Sequence, residues 1–230
     1  MFLVQPSIHP VIATIAPGFR ALSLSVEAAA ITRPEVASTM LEDACCHVQA
    51  GAPSWGEAHL AAWADVFRAF GAKPQRTPCS AEALRKRVLR DGRLDAIDPL
   101  VDLYNAVSLH YAVPVGGENF SAYVGAPRLI LADGSEGFDT MKQGVAVNEP
   151  PEAGEVVWCD DAGITCRRWN WRQGVRTRLD ASASRVWFIL ESLPAMPLPA
   201  LQEAGFALQD GLLQMMPGAV VDMRLLECPA

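Results

Sequence analysis

The spacing of apolar residues changes once along the chain, and this change restricts the fold more than any other feature. After a strand predicted at residues 19–26, helices are predicted at residues 34–50, at residues 56–70 and in the segment that Ser80 begins as an N-cap. From residue 114 onward the pattern is mainly that of strands. Helices and strands in separate runs are typical of an α+β protein. We therefore expect a helical N-terminal half packed on a mixed or antiparallel sheet.

A fourth helix is predicted to begin at Asp98 and Pro99, because the carboxylate can accept hydrogen bonds from unpaired amides and proline presets the first helical φ angle. Positions 100, 103, 104, 107 and 111 form one apolar stripe, which should lie in the core. Asp102, Asn105 and Ser108 recur every three residues along a different flank. This polar row is either solvated or part of a binding site.

The second half of the chain should supply most of the sheet. Residues 114–119 contain Gly116 and Gly117, and we expect a turn that another molecule can approach closely. Strands are predicted at residues 128–132, 155–159, 164–171, 175–179, 185–190 and 219–226, with a helix at about 199–216. The strand at 185–190 is apolar enough to be central. No repeat or long linker divides the chain, so residues 1–230 are interpreted as a single domain.

Composition and terminal sequence argue against several classes of protein. Half of the 230 residues are apolar and a fifth are charged, which is usual for a folded protein and unlike a disordered one. Residues 1–18 lack the basic segment and the cleavage site of a signal peptide. No window approaches the roughly 20 apolar residues that a membrane span needs. We expect a soluble, cytoplasmic protein that does not contact a membrane.

Cysteine usage gives no sign of a metal or cofactor. The six cysteines include no Cys-x-x-Cys pair, and the chain has no phosphate loop, no His-Glu-x-x-His and no Gly-x-Ser-x-Gly elbow. Reduced, buried thiols are the favoured interpretation. A redox or metal pair formed by Cys159 and Cys166 across a predicted hairpin is the alternative.

The net charge of -7 is unfavourable for a nucleic-acid partner, but the basic residues are unevenly distributed. Eight of them lie between positions 68 and 93, and six arginines lie between positions 167 and 185, out of nineteen in the whole chain. The run from Arg85 to Arg93, taken alone, is typical of the solvated face of a helix. Together the two runs favour a local basic surface if the fold brings them close to each other.

The segment from Cys166 to Arg172 is the chemically richest in the sequence. If it is a strand, Trp169 and Trp171 share one face with Arg167, while Asn170 and Arg172 lie on the other face. Two tryptophans with arginines nearby could hold an adenine ring or an aromatic side chain. The alternative is that the tryptophans are ordinary sheet core.

Three runs of residues resemble a known family. Residues 98–108, DPLVDLYNAVS, resemble the helix of the editing module of the phenylalanyl-tRNA synthetase beta subunit, which carries a similar Val-Asp-x-x-Asn-x-Val pattern. The run GEVV at 154–157 followed by Asp160, and the run RRWNWR at 167–172, resemble the free-standing bacterial members of that family. The resemblance is densest over residues 80–191 and fainter over residues 19–71.

The resemblance implies a fold, a reaction and a partner. In the parent synthetase the module hydrolyses tyrosine wrongly attached to the phenylalanine tRNA. What it implies here is a trans-acting hydrolase of mischarged aminoacyl-tRNA, which needs an oriented water and no cofactor. The partner would be the aminoacylated 3′ end of a tRNA, with the amino-acid side chain in a pocket. The amino acid, the tRNA and the oligomeric state are not determined by the sequence.

The resemblance also implies site residues. Asn105 matches the helix asparagine of the family and would hold the ester carbonyl or the attacking water, and Glu118 could supply a base, although an exposed glutamate in a turn is more often solvated. The other residues expected to contact the substrate are Asp102, Ser108, Gly116, Gly117, Asn119, Trp169, Asn170, Trp171 and Arg172. The family's histidine after the proline is missing here, and its aspartate is replaced by Asn119. This departure weakens the inference of tyrosine specificity.

Two other classes of function fit the same residues. One is a module that binds tRNA or an amino acid without hydrolysing it, and the other is a small-molecule enzyme that keeps the fold. A basic rim around the pocket would favour tRNA, whereas an acidic rim would favour a metabolite.

Overall fold

A computed structural model describes residues 3–179 and 183–228 of the chain. In chain order the elements are β1 (Ser7–Ile8), α1 (Ile12–Ile15), β2 (Arg20–Glu27), α2 (Glu35–Gln49), α3 (Gly56–Ala69), α4 (Ser80–Asp91), α5 (Pro99–Tyr111), β3 (Val115–Asn119), a 3-10 turn (Phe120–Ala122), β4 (Arg128–Leu131), β5 (Asp139–Lys142), β6 (Val145–Asn148), β7 (Val156–Cys159), β8 (Ile164–Arg167), β9 (Arg172–Gln173), β10 (Arg185–Ser192), α6 (Leu198–Met215) and β11 (Val220–Glu227).

The strands form two larger sheets and one hairpin. An antiparallel four-stranded sheet has the order β11-β2-β10-β3, so β10 is central, as its apolar sequence predicts. A five-stranded sheet has the order β1-β4-β7-β8-β9 and is antiparallel except for the parallel pair β1 and β4. Strands β5 and β6 form a separate antiparallel pair. The prediction of an α+β fold with mixed or antiparallel sheets is confirmed.

Strand β10 is buried on both faces and joins two cores. Phe188 and Leu190 lie in the core that the four-stranded sheet forms with α5 and α6. Trp187 and Ile189 point to the opposite face, into a second core that includes α3 and the five-stranded sheet. Glu191 shares that second face, since side chains alternate along a strand. The second core therefore surrounds a carboxyl group.

Helix α5 follows its sequence closely. The Asp98 carboxylate accepts a hydrogen bond from the Leu100 amide at 2.9 Å, as expected of an N-cap, and Leu100, Leu103 and Val107 are buried in the first core. The predicted cap of α4 is one residue too late, because the helix already includes Ser80 and its N-cap is Cys79. The Ser80 hydroxyl is left buried without a partner among the described residues.

His59 connects α3 to the end of α5 and to the segment after β10. Its Nδ1 lies 2.8 Å from the Ala112 carbonyl oxygen, and its Nε2 accepts a hydrogen bond from the Leu193 amide at 3.0 Å. Because Nε2 accepts, Nδ1 carries the proton and donates to Ala112. Burial lowers the pKa of His59 to about 4, so the ring is neutral near pH 7.

Three sequence-based assignments of local structure are wrong. Residues 114–119 do not form a turn, because Val115–Asn119 is strand β3 and pairs with β10. The strand predicted at 164–171 ends at Arg167, since Arg168 and Trp169 take positive φ angles of 46° and 65° and turn the chain. Residues 175–179 form no strand and contribute only an isolated bridge between Arg178 and Glu118.

The glycines of β3 serve packing rather than a turn. Neither Gly116 nor Gly117 has a positive φ angle. A Cβ atom on Gly117 would lie 2.7 Å from Cε1 of Phe188 and 3.0 Å from Cδ1 of Tyr104. The missing side chain therefore lets β3 approach β10 and α5 closely.

Within the two described ranges, no helix combines the length and the apolar character needed to cross a membrane.

Candidate functional site

A cavity of about 260 Å³ opens where α4, α5, β3, β10 and the segment joining β8 to β9 meet. We call it the aromatic cavity, because four tryptophans line it. Its lining residues are Ser80, Ala83, Leu84, Arg87, Tyr104, Asn105, Val115, Gly116, Gly117, Glu118, Trp158, Cys166, Trp169, Asn170, Trp171, Arg172, Gln173, Trp187, Ile189 and Glu191.

The structure brings together the three segments that the sequence singled out. The aromatic cavity includes Asn105, residues 116–118 and residues 169–172, although these positions are far apart along the chain. Only the local geometry differs from expectation, since the middle segment is a strand and the last one is a turn.

The remaining three predicted contact residues do not line this cavity. Asp102 accepts hydrogen bonds from the Ile97 amide, and Ser108 donates one to the Val113 carbonyl at 2.7 Å, so both close the ends of their own helix. Asn119 accepts a hydrogen bond from the Ser121 amide and caps the 3-10 turn. The polar row on α5 is therefore buried, but only Asn105 faces the cavity.

A buried ion pair holds the turn at residues 168–171. Glu155 accepts two hydrogen bonds from the Arg167 guanidinium, at 2.9 and 2.8 Å, and one from the Arg168 amide at 3.0 Å. These contacts fix the backbone at the point where it enters the positive φ region. The arginine that begins the RRWNWR run is thus structural.

The two tryptophans of this run have different environments. Trp169 is fully buried, with its ring centre 5.0 Å from that of Phe19 and 5.2 Å from that of Trp63, both in edge-to-face geometry. Trp171 is partly exposed, and the Arg168 guanidinium lies over it, with Cζ 4.6 Å from the centre of the Trp171 ring. The prediction that they share one face of a strand is wrong. Trp169 belongs to the core as well as to the cavity wall, and Trp171 forms part of the cavity's edge.

Glu191 is the most strongly bound carboxyl group in the cavity. Its Oε1 accepts hydrogen bonds from Nε1 of Trp158 and Nε1 of Trp169, both at 2.9 Å, and its Oε2 accepts one from Nδ2 of Asn170 at 3.0 Å. Burial raises the pKa of Glu191 to about 7, and the three N–H donors limit the rise. Glu191 therefore fixes the orientation of two rings and one amide.

Glu118 is buried with much less support. Its side chain is 5 % exposed, and its Oε2 has no hydrogen-bond partner among the described residues. Burial raises the pKa of Glu118 to about 8, although Gln173, Thr165 and Arg176 oppose the rise. The expectation of an exposed glutamate in a turn is wrong, because β3 places this side chain inside the protein.

Unsatisfied polar atoms concentrate at the cavity. In the part of the chain that the structure describes, six buried side-chain polar atoms lack a partner, and three of them belong to cavity residues: Ser80 Oγ, Glu118 Oε2 and Asn170 Oδ1. Leaving such an atom unpaired costs about 1–3 kcal/mol. A polar ligand that bonds these atoms would recover part of that cost.

The two basic runs of the sequence meet at the aromatic cavity. Arg87 comes from α4, in the first run, and Arg172 comes from β9, in the second. Neither guanidinium lies within 4 Å of a carboxylate of the described residues. Arg172 donates one hydrogen bond, to the Met141 carbonyl at 3.1 Å. The cavity thus has two cationic side chains that form no ion pair within the part of the chain that the structure describes.

Sequence reasoning missed Glu191, Trp158 and Ser80. A carboxyl group directly after the apolar strand 185–190 was the available signal for Glu191, because a charge at the end of a buried strand needs partners. Nothing local distinguished Trp158 or Ser80 from core and cap residues.

The two cysteines that could have faced each other do not. Across the hairpin of β7 and β8, Cys166 pairs with Trp158, and Cys159 pairs with Ile164. Residues 3–179 and 183–228 contain no group of three or more side chains arranged to hold a metal ion.

Comparisons with known proteins agree with this architecture. A sequence model of the B3/4 domain family matches residues 62–197, and a search of curated protein sequences found no match. The structure is similar to an N-terminal fragment of the phenylalanyl-tRNA synthetase beta subunit from Pyrococcus horikoshii, with a TM-score of 0.51 and 10 % sequence identity. That similarity covers 100 % of this chain and 55 % of the fragment, and it shows a shared fold. Because the family match spans more than half of the sequence, the chain belongs to the B3/4 domain family, the editing-type domain of the phenylalanyl-tRNA synthetase beta subunit.

Proposed function

We propose that the chain hydrolyses the ester of mischarged aminoacyl-tRNA in trans, with the amino acid held in the aromatic cavity. The observation that carries the proposal is the set of buried polar atoms in the wall of this cavity that have no partner among the described residues. Such atoms favour a small polar ligand, and an amino acid on the terminal ribose offers an ammonium group, a carbonyl and hydroxyls. Membership of an editing-type family supports the same reaction.

The reaction requires only water and correctly placed polar groups. The oxygen of a bound water attacks the ester carbonyl carbon, and its proton passes to a base. The tetrahedral intermediate then breaks its bond to the ribose oxygen, which takes up the proton. The products are a free amino acid and a tRNA with its terminal hydroxyl restored. The protein supplies orientation and stabilises the developing oxyanion.

We assign Glu118 as the base. With a pKa of about 8 it is mostly protonated at pH 7, and its carboxylate form is a stronger base than an ordinary glutamate. Its Oε2, which has no partner among the described residues, is free to accept a hydrogen bond from the water. The rate should therefore rise with pH until Glu118 is ionised.

We assign Asn105 and Asn170 to the substrate. The Asn105 side chain makes no hydrogen bond to another described residue, so its amide can donate to the ester carbonyl oxygen. Because Nδ2 of Asn170 donates to Glu191, its Oδ1 is oriented as an acceptor. A free acceptor in a cavity that two carboxyl groups also line fits the α-ammonium of an aminoacyl ester.

The basic rim favours tRNA over a free metabolite. Arg87 and Arg172 flank the cavity with no carboxylate of the described residues within 4 Å, and tRNA carries phosphates next to the ester. A small neutral metabolite gives these guanidinium groups nothing to bind.

The first test is the release of labelled amino acid from a panel of correctly and wrongly charged tRNAs. Asn105→Ala should lower kcat/KM for the preferred substrate about tenfold or more, because it removes a contact made in the transition state. Gln202→Ala is the control, since this amide side chain is exposed on α6 and lies outside the cavity. Binding of tRNA without release of any amino acid would replace the hydrolase by a binding module.

The pH dependence provides a separate test of the base. After subtraction of spontaneous hydrolysis, kcat/KM of the wild type should rise about tenfold per unit up to about pH 8 and then level off. Glu118→Gln should be slower and should lose this inflection. A variant that keeps the wild-type profile would show that another group takes the proton.

A further inference from the structure

A second cavity, of about 350 Å³, adjoins the turn at residues 168–171. We call it the cationic cavity. It is lined by residues 70–73, 76 and 77 after α3, by residues 152, 153 and 155, and by Arg168 from the turn. Two separate stretches of basic sequence therefore contribute to it, as they do to the aromatic cavity.

Three cations in the cationic cavity face one carboxylate that is not already bound. Glu155 is neutralised by its two hydrogen bonds from Arg167. Lys73 and Arg76 are exposed, and neither has a carboxylate of the described residues within 4 Å. Arg168 lies 3.7 Å from Glu155, and Glu152 is the remaining acidic group. The balance of charge favours an anion.

The side chains of Lys73 and Arg76 form no hydrogen bond or ion pair with the other described residues. The loop that carries them is held by its backbone, since the amides of Arg76 and Thr77 both donate to the Lys73 carbonyl at 2.9 Å. The Thr77 hydroxyl lies 3.2 Å from the same oxygen and donates to it. Two exposed cations on a locally fixed loop are available to bind a ligand.

The linings of the two cavities meet at one cation–π contact. The Arg168 guanidinium, which lines the cationic cavity, lies 4.6 Å from the ring centre of Trp171, which lines the aromatic cavity. The two cavities are therefore neighbours, as two contact sites for one chain molecule would be.

We propose that Lys73, Arg76 and Arg168 bind backbone phosphate of the single-stranded RNA end whose terminal ester enters the aromatic cavity. The proposal rests on the proposed function, because it takes the ligand to be an aminoacylated RNA. Single-stranded nucleic acids are held in this way, by cationic groups along the backbone and aromatic rings against the bases. Trp171 supplies a ring between the two sites.

The test compares Lys73→Ala/Arg76→Ala with Arg90→Ala/Arg93→Ala, which removes the same charge from the exposed end of the first basic run. The first probe is a fluorescent, unacylated single-stranded RNA that ends in CCA, measured by anisotropy over a series of salt concentrations. The cationic-cavity variant should bind about tenfold more weakly, and the slope of log affinity against log salt should become shallower by about 0.7 for each phosphate that is no longer neutralised. The control should bind as the wild type does.

A second pair of substrates separates this proposal from the hydrolase itself. In the Lys73→Ala/Arg76→Ala variant, the rate of release from aminoacyl-tRNA should fall about tenfold relative to the rate of release from aminoacyl-adenosine, which has the ester but no phosphate. If the wild type releases no amino acid from either, the hydrolase proposal fails, while a selective loss of RNA binding in the cationic-cavity variant still supports the phosphate site. Equal loss of RNA binding in the control variant would overturn the phosphate site.

Discussion

Two buried carboxyl groups at the same cavity differ because of their immediate partners. Glu191 accepts three N–H donors, whereas Oε2 of Glu118 has no partner among the described residues. Burial raises both pKa values, to about 7 and about 8. An unsupported, buried carboxyl group lowers stability once it ionises, and such groups often have a functional role.

Stability should therefore depend on Glu118 in a pH range that its pKa defines. In the folded protein the Glu118 carboxyl group keeps its proton up to about pH 8, whereas in the unfolded chain it loses the proton near pH 4.5. The stabilisation that comes from protonated Glu118 is thus fully present below pH 4.5 and is lost as the pH rises to about 8. The free energy of unfolding of Glu118→Gln, relative to that of the wild type, should increase by on the order of a few kcal/mol from pH 4.5 to pH 8.5. Denaturant unfolding of both proteins at pH 4.5 and at pH 8.5 measures this change. The same difference in stability between the two proteins at both pH values would contradict the burial of Glu118.

At the scale of elements, the glycine pair of β3 allows close packing of a strand and does not form the predicted turn. A Gly-Gly sequence after a helix favours a turn, but here it lets a strand pass close to Phe188 and Tyr104. The same strand carries Glu118 into the interior. Position in the sheet, rather than backbone freedom, explains these glycines.

Gly117→Ala should destabilise the protein by about 1–3 kcal/mol, because the added methyl group overlaps Phe188 and Tyr104. Gly116→Ala is the control on the same strand, since its new Cβ atom would meet nothing closer than Cγ2 of Ile189, at 3.4 Å. Thermal unfolding of both variants measures the difference. Equal stability of the two would show that β3 does not lie against α5 and β10 in this way.

At the scale of the whole molecule, contacts between distant segments hold the helices to the sheet. His59 is one such contact, because it joins the Ala112 carbonyl and the Leu193 amide. Its lowered pKa also makes this connection sensitive to acid.

His59→Phe should destabilise the protein by about 1–3 kcal/mol for each of the two backbone groups that it leaves unpaired. The stabilisation from neutral His59 is fully present above pH 6.5 and is lost as the pH falls toward about 4, because the unfolded chain takes up the proton first. The difference between wild type and variant should therefore shrink from pH 7 to pH 4. His47→Phe is the control, since His47 stacks on His110 near the surface. A constant difference over this range would mean that His59 is not held neutral.

The sequence by itself determined most of the elements and the family resemblance. Helix α5, with its Asp98 cap and apolar stripe, and the central strand β10 formed where they were predicted. Caps and periodic spacing act over neighbouring residues, so they can be read from a short stretch of chain.

Only the tertiary structure decided the environment of the site. The donors to Glu191 lie 33, 22 and 21 residues away from it, and the two arginines at the rim come from separate runs. The turn at Arg168 and Trp169 exists because buried Glu155 binds Arg167 and the Arg168 amide. Burial, pKa and the meeting of charges depend on which distant segments pack together, and no local pattern encodes that arrangement.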